Sequence, residues 1–191
     1  KSNILGANNL QIRDYVLLTI HKQKNTNNKR RLEKIINAII KSEEKVIFPI
    51  HPRTEKYLKE YGLYNRLLNS NIKLVKPLGY LDFLQLTSNA KVILTDSGGI
   101  QEEAAVLGVP CLTLRDNTER PCTLASGMNQ LVGTDPEVIL QTFDEIFDLE
   151  ETCHSLPETW DGCTGERIAS ILAGFDGSIP TRSSNSSAFT A

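Results

Sequence analysis

The period of the apolar positions changes repeatedly along the chain, and each change marks an element. Residues 15–20, Tyr-Val-Leu-Leu-Thr-Ile, make a compact apolar run of strand length. Residues 21–28 are a polar loop. From Lys29 the period becomes helical, with Leu32, Ile35, Ile36, Ile39 and Ile40 on one stripe. Residues 45–50 predict a second strand, 54–68 a helix broken near Gly62, and 72–75 a third strand. A short helix over 80–88 and a fourth strand over 91–94 follow. The turn Thr95-Asp-Ser-Gly-Gly99 opens a helix through Leu107, which Gly108-Val-Pro110 ends. A fifth strand at 111–114 and a short sixth at 130–132 come next. Pro136 suits the first position of a helix reaching Phe147, and residues 166–173 predict the last one.

Short, nearly all-apolar strands alternating with helices predict a parallel sheet covered on both faces. The fold class is α/β, a doubly wound and Rossmann-like sheet. Residues 1–12, polar and containing a glycine, read as a linker, 13–176 as the domain, and 177–191, rich in Ser, Thr and Asn, as a disordered tail.

The chain has 191 residues, 40 % of them hydrophobic and 23 % charged, enough for one core without disulfides or a structural metal. A net charge of −2, with Lys29-Arg30-Arg31 the only short basic cluster, argues against a nucleic-acid partner. No apolar stretch approaches the roughly 18 residues of a membrane span. The start carries no basic-then-apolar signal segment, and it lacks Met, as a fragment would. Cys111, Cys122, Cys153 and Cys163 form no C-x-x-C pair, and the three histidines show no ligand spacing. No metal or cofactor is expected, and a reducing, cytoplasmic compartment fits best.

In an open parallel sheet, ligands bind at the carboxyl ends of the strands, near the reversal of strand order. His21, His51, Arg115, Arg120 and the pair Gly98–Gly99 all follow strands and so share that rim. Gly98 and Gly99 would let an anion approach the free amides that open the helix, where the dipole adds roughly 0.3–2 kcal/mol. Ser97 would cap the helix or donate to a phosphate. Glu103, one turn beyond Gly99, would accept from ribose hydroxyls. The same residues also describe a plain capped turn, and spacing alone does not separate the two readings. His21 would neutralise charge or move a proton, or stand as a solvated rim histidine, and His51 likewise. Phe83 would stack on a base or fill the core. Arg115 and Arg120 would clamp phosphate, although a Glu119–Arg120 surface pair explains that loop as well.

A longer pattern separates the readings. Leu94-Thr-Asp-Ser-Gly-Gly-Ile-Gln-Glu-Glu-Ala104, Gly108-Val-Pro110 and Arg115-Asp-Asn-Thr-Glu-Arg-Pro121 together resemble the hydrolysing and non-hydrolysing UDP-N-acetylglucosamine 2-epimerases. Phe48-Pro-Ile-His-Pro-Arg53, Pro77-Leu-Gly-Tyr80, Leu131-Val-Gly133, Asp161-Gly162 and Arg167-Ile168 support the likeness, which runs from about Tyr15 to Leu172. The resemblance implies the C-terminal, UDP-binding domain of a two-domain, glycosyltransferase-B-like enzyme, an isomerase with its active site in the cleft. It implies Ser97, Gly98 and Gly99 on the diphosphate, Glu103 on the ribose and Phe83 near the uracil. It also implies His21 on the phosphate or sugar side, Arg120 in the cleft loop and His51 near a regulatory UDP-sugar site.

The family chemistry eliminates UDP across C1–C2 to a glycal, then adds back UDP with C2 inverted, or adds water. Its proton-moving carboxylates come from an N-terminal domain, so the resemblance implies a chain that binds UDP-sugar and is inactive alone. Homodimers are common in the family. The intact Pro77-Leu-Gly-Tyr80 and Thr118-Glu119-Arg120-Pro121 blocks lean toward the non-hydrolysing group. One departure is plain: the usual His-Arg-x-Glu-Asn is here His21-Lys22-Gln23-Lys24-Asn25, and lysine lacks the bidentate fork of arginine. Another glycosyltransferase-B-type nucleotide-sugar enzyme, or a non-catalytic UDP-sugar-binding module, remain the alternatives.

Overall fold

The computed structural model describes residues 2–147 and 156–174, which fall into two compact units divided after Leu156. In the first unit, six parallel strands form one sheet in the order β3-β2-β1-β4-β5-β6. They are β1 (Val16–Thr19), β2 (Val46–Pro49), β3 (Ile72–Val75), β4 (Val92–Thr95), β5 (Cys111–Thr113) and β6 (Asn129–Leu131). The order runs outward from β1 to β3 on one side and from β4 to β6 on the other, so it reverses between β1 and β4. That is the dinucleotide-fold arrangement, and the crevice outside those two strand ends is its binding position.

Alternation along the strands builds two cores from one apolar sequence. Val16, Leu18 and Ile20, with Val46, Phe48, Val92, Leu94 and Leu112, face one layer. Leu17, Ile47, Ile93 and Cys111 face the other. The first layer holds α3 (Lys29–Lys41), α4 (Pro52–Glu60), α5 (Tyr64–Leu68) and α9 (Pro136–Phe147), through Leu32, Ile35, Ile36, Leu58, Leu67, Ile139 and Phe143. The second holds α6 (Tyr80–Asn89) and α7 (Gly98–Leu107), through Leu86 and Ala104. Every residue of β1 and β4 is buried, which is why the central strands carry no polar alternation in the sequence.

Within the stretch 1–12, expected to be a linker, the chain forms local structure. Ile4–Asn8 form a helix, α1, whose Ile4 and Leu5 pack on the second core beside buried Leu10. Residues 21–28 are not all loop either, because Gln23–Thr26 wind into the one-turn helix α2. A third short helix, α8 (Pro121–Ala125), also carries no periodic signal. The second unit begins at Pro157, inside the stretch 13–176. Within it lies α10 (Thr164–Ala173), where the Asp161 carboxylate takes the Cys163 amide at 2.9 Å and pairs with Arg167. The expected tail, 177–191, lies outside the described residues.

Gly108 ends α7 in the left-handed conformation, at φ 64° and ψ 37°, with its amide on the carbonyls of the last turn. A side chain is strained there. Gly108→Ala is expected to lower the unfolding free energy by about 1 kcal/mol, read as the shift in a urea transition with unchanged slope.

Candidate functional site

The reversal between β1 and β4 brings together two segments some 75 positions apart. Asp96 leaves β4 with its side chain fully buried. Its carboxylate accepts from the His21 amide at 3.0 and 3.2 Å, the Lys22 amide at 3.0 Å and Asn25 Nδ2 at 3.1 Å. Asn25 also donates to the Leu114 carbonyl at 3.0 Å and accepts from Arg31 Nε at 3.1 Å. A buried charge is tolerable only when hydrogen-bonded in this way. Asp96 therefore ties the turn after β1 to the turn after β4, and Thr19 and Thr95, the last residue of each strand, add a hydroxyl contact of 2.6 Å.

The altered loop keeps these anchors because backbone amides and Asn25 make them. Lys22 contributes its amide, whatever its side chain. Lys24, where the family pattern has Glu, pairs with Asp116 at 2.7 Å. The His21 imidazole is half-buried, with Nδ1 3.5 Å from Asp96, which leaves Nε2 as the nitrogen free for a ligand. Burial pushes its pKa below the ordinary imidazole range; Asp96 pulls it back up, and Lys22 and His51 push it further down. A depressed histidine contributes stability that is full above its unfolded value near 6.5 and is lost as pH falls through the lowered folded value.

Ser97 is the N-cap residue of α7, but its hydroxyl makes no capping bond. Its amide instead donates to Thr95 Oγ1 at 3.0 Å. α7 has no acidic residue in its first turn, so the free amides at Gly98 and Gly99 and the positive end of the dipole are left to an outside anion. Open space surrounds Gly99, and Gly98 has a single neighbour near its absent side chain, Glu119 Oε2 at 3.7 Å. One turn on, Glu103 holds a buried carboxylate oxygen, Oε2, with no hydrogen-bond partner. Burial raises its pKa.

Phe83, from the first turn of α6, lines a cavity of ≈ 190 Å³ with His21, His51, Pro77, Leu78 and Ile100. The ring is partly buried against the second core, and its remaining surface faces this cavity. His51 shares this cavity, its ring centroid 6.2 Å from that of His21, and its Nδ1 caps α4 by accepting the Arg53 amide at 3.1 Å.

The Glu119–Arg120 surface pair is not formed. Glu119 binds Arg115 through two bonds of 2.7 and 2.6 Å, which holds its carboxyl down to about 2. Arg120 Nε lies 2.8 Å from Glu102, an alignment that leaves the buried Nε–H without an acceptor. Sequence reasoning also assigned nothing to Gln101. It is fully buried on α7, donates to the Ser97 carbonyl at 3.1 Å, and accepts from Thr118 at 2.6 Å and Asn129 at 3.1 Å. Gln101 thereby fixes the Thr118–Pro121 turn against the helix that carries Ser97. Its signal was available: an amide four residues after the cap faces the same way as Ala104 and Ala105 and must find buried partners.

A family model described as UDP-N-acetylglucosamine 2-epimerase matches residues 1–173. The chain belongs to the UDP-N-acetylglucosamine 2-epimerase family. It is 48 % identical over 165 residues to the UDP-N-acetylglucosamine 2-epimerase of Methanococcus maripaludis, covering 84 % of this chain and 44 % of that protein. A homolog of the enzyme from the same organism is 50 % identical over 150 residues, 78 % of this chain and 42 % of its own length. The crystal structure of the Methanocaldococcus jannaschii UDP-GlcNAc 2-epimerase in complex with UDP-GlcNAc and UDP superposes with a TM-score of 0.80 at 44 % identity. That match covers 91 % of this chain and 49 % of the other. The chain thus spans less than half the length of the curated relatives it matches. Membership in this epimerase family makes the six-stranded parallel sheet one domain's worth of a glycosyltransferase-B-like fold.

Among the described residues, no helix is long and apolar enough to cross a membrane, and no group of three or more His, Cys, Asp or Glu side chains could hold a metal ion.

Proposed function

We propose that this chain is the UDP-gripping part of a UDP-N-acetylglucosamine 2-epimerase, acting on UDP-GlcNAc and UDP-ManNAc in the non-hydrolysing manner. The observation that carries the reading is the set of uncommitted polar groups at the start of α7. The Ser97 hydroxyl, the Gly98 and Gly99 amides and the orphaned Glu103 oxygen lie within about two helical turns, beside the β1–β4 crevice. Amides at a positive helix end suit a diphosphate. A partly desolvated carboxylate one turn away suits the paired hydroxyls of a ribose. The aromatic wall at Phe83 suits the base.

Epimerisation at C2 needs a group to remove and return the C2 proton, and stabilisation of the charge on departing UDP. This rim serves the second need. His21, kept largely neutral by burial and anchored by Asp96, donates from Nε2 to the leaving phosphate or holds the transferred proton. Arg120, paired with Glu102 through Nε at 2.8 Å, closes the cleft from the Thr118–Pro121 turn. The carboxylates that abstract the C2 proton belong to a second domain, and the complete enzyme is a cytoplasmic homodimer. Three free thiols among the described residues, one fully buried, accord with a reducing compartment. His51 is the candidate contact for a second, regulatory UDP-sugar.

The test is a calorimetric titration of the chain with UDP, with Ser97→Ala beside it. We expect saturable binding, weakened about fivefold by loss of one hydroxyl donor, and no epimerisation of UDP-GlcNAc by the chain alone. A folded chain that takes up no UDP would overturn the assignment of the nucleotide to this rim. Turnover by the chain alone would overturn the division of labour.

A further inference from the structure

Arg115 and Glu119 form the most asymmetric ion pair of the site. The Arg115 side chain is only 16 % exposed, whereas its partner is 60 % exposed. The guanidinium follows β5 and lies near the buried Asp96, which with Glu119 favours its charge. Both of its available fork positions are given to one carboxylate that water already reaches. That carboxylate also leans over the nucleotide cradle: beyond the adjoining residues and the helix's own backbone, Glu119 Oε2 is the one described atom within 4 Å of the position a side chain would take at Gly98. The turn around it is anchored elsewhere. Thr118 is held by Gln101, and the Arg120 amide donates to Thr118 Oγ1 at 3.0 Å. The Glu119 side chain can therefore swing into solvent without moving its backbone.

A carboxylate and a phosphate present similar oxygen pairs to an arginine fork, and both are favoured at a helix N-terminus. α7 brings no acidic residue of its own to its first turn; the anion standing beside Gly98 comes from Glu119. Resting on the UDP reading above, we propose that Arg115 is a further diphosphate-binding residue and that Glu119 is an internal stand-in for the phosphate, displaced when UDP enters. Binding then exchanges one anion for another on the same fork. Arg115 is kept charged, extended and in place at all times, so little side-chain freedom is lost when the ligand arrives. The exchange has a cost too, because Glu119 competes with the ligand for the fork and for the helix end.

The competition sets the sign of the test. Titrating the chain with UDP, with inorganic pyrophosphate and with uridine, Glu119→Gln should bind UDP and pyrophosphate about five- to tenfold more tightly than the unmodified chain. Arg115→Lys, which keeps charge and loses the fork, should bind both about tenfold more weakly. Uridine, lacking phosphate, should bind all three alike. Thermal melts verify that each variant is folded, which the exposure of Glu119 favours. Unchanged or weaker UDP binding by a folded Glu119→Gln variant would overturn the stand-in role, since a carboxylate that merely orients Arg115 predicts that loss. If the unmodified chain binds UDP and Ser97→Ala weakens it while Glu119→Gln does not tighten it, the nucleotide reading stands and this inference alone falls.

Discussion

Asp96→Ala is expected to lower the unfolding free energy of the domain by about 3–5 kcal/mol, the cost of breaking a buried charged hydrogen-bond cluster from one side. The carboxylate has no exposure and holds three donors, the amides of His21 and Lys22 and the Asn25 side chain. Alanine leaves these donors dry and unpaired, and it also unties the turns after β1 and β4. Asp96→Asn should lose nearly as much despite its matching shape, because its amide nitrogen would face other donors. The asparagine variant carries a second readout. Asp96 is the group that raises the His21 pKa against burial, so its neutralisation should move the imidazole titration, followed by NMR, still lower. Urea unfolding measures the first effect. A loss under about 1 kcal/mol would mean that other contacts hold the crevice together.

Glu103→Gln is expected to move stability and binding in opposite directions. Burial raises the Glu103 pKa, and its Oε2 has no partner, so the ionised form is penalised in the folded chain. For a carboxyl raised above its unfolded value, the stabilising contribution is complete below that value and is lost as pH rises through the folded one. At neutral pH it is absent. The glutamine variant should then be the more stable protein at pH 7, by roughly 0.5–1 kcal/mol given that the carboxyl is only partly buried, or about 1–4 °C in Tm. The advantage should vanish near pH 4. UDP affinity should fall about 10- to 100-fold, because ribose hydroxyls lose a charged acceptor. A variant that is less stable at pH 7 while binding UDP normally would show that Glu103 serves the fold and not the ligand. A site residue that costs stability until its ligand arrives is a common signature of function.

The candidate site was partly legible because its densest part is local. Ser97, Gly98, Gly99 and Glu103 lie within seven residues, and the strand-then-glycines-then-helix order fixes their geometry without help from the rest of the chain. His21 and His51 were placed on one rim by the rule for parallel sheets, and their rings do lie 6.2 Å apart. The roles of Asp96, Asn25 and Gln101 were not visible, since each acts through partners far off in sequence. The same holds for ion-pair choice. Adjacency suggested Glu119–Arg120, but adjacent side chains in a turn diverge, and the actual pairs are Arg115–Glu119 and Glu102–Arg120.

The elements themselves divide along a physical line. By itself the sequence determined the six strands, the longer helices and the doubly wound class, because hydrophobic period is a local property that burial on one face imposes. Strand edges moved by one residue at most, and Gly108 and Pro136 ended or began helices where their backbone preferences require. The short helices α1, α2 and α8 were missed because four or five residues cannot nucleate a helix on their own. Packing of Ile4, Leu5 and Leu10, the bond from Asn25 to Asp96 and the bond from Asn129 to Thr123 hold them instead. Only the tertiary structure set the strand order, and with it the meeting of His21 and Asp96 and the leaning of Glu119 over Gly98. Those contacts depend on distances through space, which a linear pattern of polar and apolar residues does not encode.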